Sequence, residues 1–430
     1  MTSHHQQQQP PLPPLPQQDR TIIATADDAI LAKLATVQAG YYDDPYLEPL
    51  SRHASGIAES SAATAATSGQ GMRHPPGRGG GRSIRQVQPI IKRGTHARVC
   101  CMDRAISAFV DYYTPTEECQ KTNQNVQIIV LGSGKDTSFF RLAQANVQWY
   151  EVDHPSVIHT KANMIQQSVQ QESSPNVFSS IAVQPTETGY RLTKSLATTS
   201  DATVVDADTN NEASATTTTT ASSAWCHLIG HDLRDNPQTL IDKLGKGTAF
   251  DPTAPTLLLL ECVMMYLPDD ASRSLLKCLT STLSSAYLAC YEPILGEDSF
   301  GKVMESNLSK AGVVARDACL THVRTLPQQL EKVLACGFTT AVGSDMSSAY
   351  ESILTPAQRG QANRAELLDE VEEWLLIMRH YCFFCRLHDG RQGLCQDLLW
   401  RRCRRRGLGI FTQPVRDHDE ETIVLTCTYR

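Results

Sequence analysis

Gln127-Ile128-Ile129-Val130-Leu131-Gly132-Ser133-Gly134 runs from an apolar stretch directly into a glycine turn. About 20 residues on, Tyr150-Glu151-Val152-Asp153 ends a second apolar stretch with an acid. Glycines let a backbone turn approach a ligand closely, and an acid at the end of the next strand can hold two ribose hydroxyls. Together the two stretches place a nucleoside-bearing cofactor across the tops of parallel strands.

Working outward, Val126–Leu131, Trp149–Val152, Trp225–Ile229, Thr256–Leu260 and Ala286–Tyr291 are short apolar runs. Strands buried on both faces read this way. Helical stretches at Phe139–Ala145, Val157–Gln167 and Ala271–Leu283 fall between most of them. The alternation predicts an α/β fold, with a doubly wound, mostly parallel sheet and right-handed crossovers. Helices near Phe300–Ala311 and Glu366–Leu376, with a strand at Phe338–Val342 between them, follow the fifth run. Upstream, Thr25 to Ala39 reads as a helix. Thr25 and Asp28 have capping-box spacing, and Ile30, Leu31, Leu34 and Val37 form one stripe. Met102 to Tyr113 repeats apolar residues at helical spacing, with Arg98 just before or within its first turn.

The domain order follows. Residues 1–20 are Gln/Pro-rich and are expected to be disordered. An N-terminal helical cap spans 21–120, with a flexible Ala/Ser/Gly/Arg-rich insertion at 51–83. The α/β core spans 121–386 and carries a low-complexity insertion at about 171–223, including an unbroken Thr216–Thr220 run. Residues 387–430 form a basic extension around Arg401, Arg402, Arg404, Arg405 and Arg406, with no convincing amphipathic element.

Composition excludes several classes. At 430 residues and 41% hydrophobic, the chain can bury a sizeable core. A net charge of −7 gives no global attraction for nucleic acid or an acidic membrane. The longest apolar run, Thr256 to Leu267, carries Glu261 and is too short to cross a bilayer. No basic segment followed by an apolar run marks a secretory signal. The 14 cysteines are scattered and therefore read as buried thiols in a reducing compartment. His380, Cys382, Cys385, His388, Cys395 and Cys403 are irregularly spaced, with a single Cys-x-x-Cys, so no metal site is assigned. The expectation is an intracellular, cytoplasmic monomer, with the arginine run as the feature that would allow nuclear entry.

Two cofactor classes compete for the glycine turn. A nicotinamide or flavin enzyme normally shows G-x-G-x-x-G, but the last position here is Thr137. Asp136 also places a negative charge where a pyrophosphate would sit. S-adenosylmethionine has no phosphate, so neither objection reaches it. It asks for an acid at the ribose, a polar group at the adenine amine and a base for its carboxylate. Asp153, Asp232-Leu233 and Glu261 all lie at carboxyl ends of predicted strands, where ligands of open α/β sheets bind, and Arg98 is a candidate base.

With those residues assembled, the chain resembles the leucine carboxyl methyltransferase family. Gly40-Tyr41-Tyr42-Asp43-Asp44-Pro45-Tyr46 and Arg93-Gly94-Thr95-His96-Ala97-Arg98 are similar to its first blocks. Leu131-Gly132-Ser133-Gly134-Lys135-Asp136-Thr137, Glu151-Val152-Asp153-His154-Pro155 and Gly230-His231-Asp232-Leu233 follow in order. Glu261 to Tyr266, Tyr291-Glu292, Asp298 to Gly301 and Met378-Arg379-His380-Tyr381 complete the set. The resemblance implies a seven-stranded sheet of the S-adenosylmethionine-dependent methyltransferase type. It implies methylation of the C-terminal leucine carboxylate of protein phosphatase 2A catalytic subunits, whose tail is the expected partner. It carries Lys33 and Arg98 to the methionine carboxylate, Gly132 to the turn, Asp153 to the ribose, Asp232 and Leu233 to the adenine, and Glu261 to the amino-acid end. The insertions and the tail beyond Cys385 depart from the family pattern.

A C-terminal carboxylate has a pKa of about 3.5 and needs no general base. Catalysis is therefore expected to rest on positioning and desolvation, with Tyr266, Arg93 and Arg379 as candidates for orienting the carboxylate. Three rivals stand beside this reading. A sister group methylates a hypermodified tRNA guanosine, but typically with a long repeat-rich C-terminal domain for which this chain has no room. A non-catalytic phosphatase scaffold would have no need of the acids. A nicotinamide oxidoreductase is disfavoured by Asp136 and Thr137.

Overall fold

The apolar runs pair because burial on both faces leaves their backbone groups only each other for partners. The computed structural model describes residues 16–52, 87–113, 125–170, 176–196, 222–387, 410–417 and 420–427. Eleven strands form one sheet: β1 (Val126–Leu131), β2 (Val147–Asp153), β3 (Ile181–Pro185), β4 (Gly189–Leu196), β5 (Ser222–Gly230), β6 (Thr256–Glu261), β7 (Ala286–Pro293), β8 (Thr340–Asp345), β9 (Tyr381–Leu387), β10 (Ile410–Asp417) and β11 (Glu420–Cys427). Their order is β10-β11-β8-β9-β7-β6-β1-β2-β5-β4-β3. The five runs read as parallel strands lie together as β5-β2-β1-β6-β7, all parallel. β9 then runs antiparallel between β7 and β8. These inner seven match the expected seven-stranded sheet.

Four further strands correct that expectation. The β3–β4 hairpin extends the β5 edge and lies within the span read as a low-complexity insertion. β11 pairs parallel with β8, and β10 pairs with β11, in the tail where no element was expected. β3 lies at the edge and β4 joins it to β5; both are half-exposed, so they lack the continuous apolar run that betrays a strand buried on both faces. Residues 171–175 and 197–221 of that insertion, most of the 51–83 insertion and the arginine run lie outside the described residues.

Side chains alternate across the sheet with the period of two that a strand imposes. Ile128, Val130 and Trp149 pack on one face with α3 (Pro89–Tyr113). Ile129, Leu131, Tyr150 and Leu258 pack on the other with the helices Asp269–Thr282 and Leu326–Leu334. Each such side chain contributes about 1.5–3 kcal/mol by leaving water.

The N-terminal helices begin earlier than their sequence signals. α1 spans Gln17–Gln38, so the last residues of the stretch read as disordered are helical. Pro16 stands at its N-cap, and the Thr25 hydroxyl donates to Ile22 O at 2.6 Å inside the helix instead of capping it. A short α2 covers Leu47–Ser51. α3 starts at Pro89, which puts Arg98 in mid-helix. Gly94 hid that start, since glycine weakens a helical pattern. A Cβ there would lie 3.1 Å from Met378 Cε, so the glycine admits the neighbouring Val371–Met378 helix. The helix expected at Glu366–Leu376 is instead two helices, Pro356–Ala365 and Val371–Met378.

Candidate active site

The loops after β1, β2, β5 and β6 meet at the carboxyl edge of the sheet, on both sides of the point where strand order reverses. Gly132 and Gly134 both hold positive φ, +67° and +53°. The amides of Gly132 and Ser133 donate to Val152 O at 2.8 and 3.1 Å, which folds the turn onto the end of β2. A Cβ on Gly132 would lie 2.7 Å from Val263 Cγ2, so only glycine fits between this turn and the loop after β6. Asp153 closes β2 and accepts from Gly134 N at 2.7 Å and His154 N at 2.6 Å. Burial raises its pKa, and these two hydrogen bonds oppose the rise.

A cavity of about 300 Å³ lies above these strand ends. Lys33, Arg98, Gly132 and Asp153 line it, as do Asp232, Leu233, Glu261 and Tyr266. The sequence-derived cofactor residues thus share one space, although they come from six separate stretches of chain. One wall is α1, which contributes Ile22, Ile23, Ala26, Ala29 and Lys33.

At one end the charges are paired. Lys33 Nζ donates to Asp136 Oδ1 at 2.9 Å and to Glu261 Oε2 at 3.3 Å. Arg98 Nε donates to the other Glu261 oxygen. Burial alone would raise the Glu261 pKa, but Arg98 and Lys33 outweigh it and hold the carboxyl below its ordinary value. Burial likewise opposes ionisation of Asp136, and Lys33, Lys161 and Arg141 overcome it. Lys33 is therefore a buried, doubly paired cation, where sequence without the family would make it a solvated helical lysine. Farther along, Arg234 grips Asp232 at 2.5–3.2 Å and reaches Asp19 of α1 at 2.6 Å.

The other side of the cavity is apolar and phenolic. Met265, Met304 and Leu308 pack together there, with Tyr266 and Tyr381 against them. The Tyr291 and Tyr381 rings stack at 5.4 Å, and Arg98 lies over Tyr291 at 5.4 Å. Burial pushes all three phenols well above their ordinary pKa, so they stand as neutral hydroxyls. Tyr266 sits on the 3-10 turn Met264–Tyr266, which a buried carboxylate clips in place. Glu292 accepts from the amides of Val263 and Met264 at 2.8 Å and of Met265 at 3.2 Å. Cys262, just before that turn, takes φ +56°.

Two sequence candidates fall elsewhere. The Arg93 guanidinium donates to Asn363 Oδ1 at 2.7 Å, Ala362 O at 3.1 Å and Glu366 O at 3.2 Å, so it ties down the Pro356–Ala365 helix. Arg379 is exposed at the C-cap of the Val371–Met378 helix, away from the residues that line the cavity. Neither lines the cavity; Tyr266 does. Tyr291, Tyr381 and Asp136 were missed as site residues. The first two lay in family blocks read as fold signature, and Asp136 was weighed only as an obstacle to phosphate.

The donor set fits S-adenosylmethionine. Its amino-acid end carries both charges, and the paired Lys33, Arg98, Glu261 and Asp136 offer both signs. The Ser133 hydroxyl lines the cavity buried and, among the described residues, without a partner, ready to serve a polar ligand. A pyrophosphate is poorly served, because Asp136 Oδ2 already accepts Ser138 N at 2.9 Å at the start of the Ser138–Leu142 helix.

Comparison with known proteins agrees. The leucine carboxyl methyltransferase family profile matches residues 21–280. Leucine carboxyl methyltransferase 1 of Yarrowia lipolytica is 28% identical over 376 residues, which are 85% of this chain and 96% of the relative. That of Rattus norvegicus is 28% identical over 380 residues, 87% of this chain and 92% of the relative. Among solved structures, a putative methyltransferase from Thermobifida fusca aligns over 86% of this chain and 97% of its own, at TM-score 0.42 and 11% identity. The chain belongs to the leucine carboxyl methyltransferase family and uses S-adenosylmethionine as its cofactor.

Proposed function

We propose that this enzyme methylates the α-carboxylate of the C-terminal leucine of protein phosphatase 2A catalytic subunits. The observation that carries the reading is the contrast within the cavity. Beside the paired charges lies a pocket of methionine, leucine and neutral tyrosine. An aliphatic side chain is favoured against Met304 and Leu308, and a terminal carboxylate can accept from tyrosine hydroxyls without being neutralised.

Bound S-adenosylmethionine supplies a methyl group made electrophilic by its sulfonium. The chain's residues do the rest. Asp153, Asp232 and Leu233 hold the adenosine, while Lys33, Arg98 and Glu261 hold the amino-acid end. Tyr266, with Tyr291 and Tyr381 nearby, orients the attacking carboxylate. α1 and the apolar wall keep water away from it, which raises its nucleophilic strength. The carboxylate is ionised at neutral pH, so no residue is required as a general base. The resulting enzyme is an intracellular monomer whose partner is the phosphatase tail.

Methyl transfer from labelled cofactor tests the reading. Intact phosphatase should be labelled, while phosphatase lacking its terminal leucine and bulk tRNA should not. Labelling of tRNA alone would transfer the enzyme to the tRNA branch.

A further inference from the structure

Lys161 is fully buried on the Pro155–Val169 helix, and its ammonium pairs with the buried Glu151 carboxylate of β2. Such a pair is weak evidence for stability, because apolar residues of similar volume often serve as well. Its second bond needs another explanation. Lys161 Nζ donates to the main-chain carbonyl of Asp136 at 2.6 Å. Asp136 is fixed locally by its amide, which donates to Ser133 O at 3.0 Å, and by Oδ2, which accepts Ser138 N at 2.9 Å. Lys161 adds a third anchor, from a different helix. Oδ1 is then the oxygen presented to Lys33, at 2.9 Å.

The result is a row of six alternating charges: Glu151, Lys161, Asp136, Lys33, Glu261 and Arg98. It runs from the sheet interior to the cavity. Lys161 also helps hold Asp136 ionised, against the burial that opposes its charge. Among the described residues Glu151 Oε1 has no hydrogen-bond partner.

We infer that Lys161 is a positioning residue for the amino-acid end of the cofactor, acting through Asp136 on Lys33. The inference rests on the assignment of Lys33 and Arg98 to that end. Calorimetric titration with two ligands separates it from a merely structural role. S-adenosylhomocysteine carries the amino-acid end, and 5′-methylthioadenosine lacks it. Lys161→Met combined with Glu151→Leu removes both charges, so no lone carboxylate is left buried; Lys161→Met with Glu151→Gln is the second variant should the first not fold. Expected is a roughly tenfold or greater loss of S-adenosylhomocysteine affinity, the scale of one charge-assisted hydrogen bond. Methylthioadenosine affinity should hold within about twofold. Equal loss for both ligands, or loss for neither, would overturn the proposal. Asp153→Ala serves as the control and should weaken both ligands. If it weakens neither, the underlying cofactor assignment fails, which is a different outcome from failure at Lys161.

Discussion

The two sides of the cavity are built on opposite principles. On the cofactor side the charges are mostly paired, Lys33 with Asp136 and Glu261, Arg98 with Glu261 and Arg234 with Asp232, while Asp153 is held by main-chain amides. On the Tyr266 side stand methionines, leucines and neutral phenols. A site of paired charges is organised before its ligand arrives, so little reorganisation is asked of it. A site of neutral groups discriminates by shape and by the exclusion of water. Under the proposed function, the difference assigns affinity for the methyl donor and reactivity of the acceptor to separate groups, which can then be altered separately.

The largest effect should follow from breaking the shared anchor. Glu261→Gln leaves the partly buried Arg98 guanidinium without its carboxylate. A loss of about 3 kcal/mol of folding stability is expected in a urea titration, together with weakened cofactor binding. Unchanged stability would mean that the charged side is not pre-organised by pairing.

The support of the neutral side can be read from pH. Burial pushes the Glu292 carboxyl up to about 7, despite the amides of Val263, Met264 and Met265 that favour its charge. Its ordinary value is 4.5. Between these values the folded state keeps a proton that the unfolded chain has lost, so stability from this group falls as pH rises from 4.5 to 7 and is flat above. The change is on the order of 3 kcal/mol. The difference in Tm between the native protein and Glu292→Gln should trace that slope, and a flat difference across the window would refute it.

Smaller effects sharpen the contrast itself. Asp153→Ala should raise the cofactor Kd by about tenfold or more, with the fold intact by circular dichroism. Tyr266→Phe should lower kcat/KM for the peptide acceptor by roughly fivefold, about 1 kcal/mol, and leave cofactor Kd unchanged. A Tyr266→Phe variant that lost cofactor affinity instead would erase the division between the two sides.

Much of this was legible in the sequence, for physical reasons that differ by element. β1, β2, β6 and β7 are buried on both faces and so read as largely apolar runs. The half-exposed strands β3 and β4 show no such run, and the sheet is wider than the sequence announced. Asp153, Asp232 and Glu261 stand out in sequence because strand ends are where ligands of such sheets bind, and all three line the cavity. Arg93 was misread because a charged residue in a motif block does not reveal whether it faces a ligand or a neighbouring helix. Asp136 and Lys33 stand 103 residues apart in the chain, and no local pattern carries such a pairing.

α1 is held at three places along its length: Asp19 by Arg234, Asp27 by Lys135, and Lys33 by Asp136 and Glu261. It belongs to the roof of the reaction chamber as much as to the N-terminal region. A shortened protein starting at Val126 would retain every strand and still leave the chamber open to bulk solvent. Trimming this enzyme to its apparent catalytic domain would therefore discard part of the catalyst.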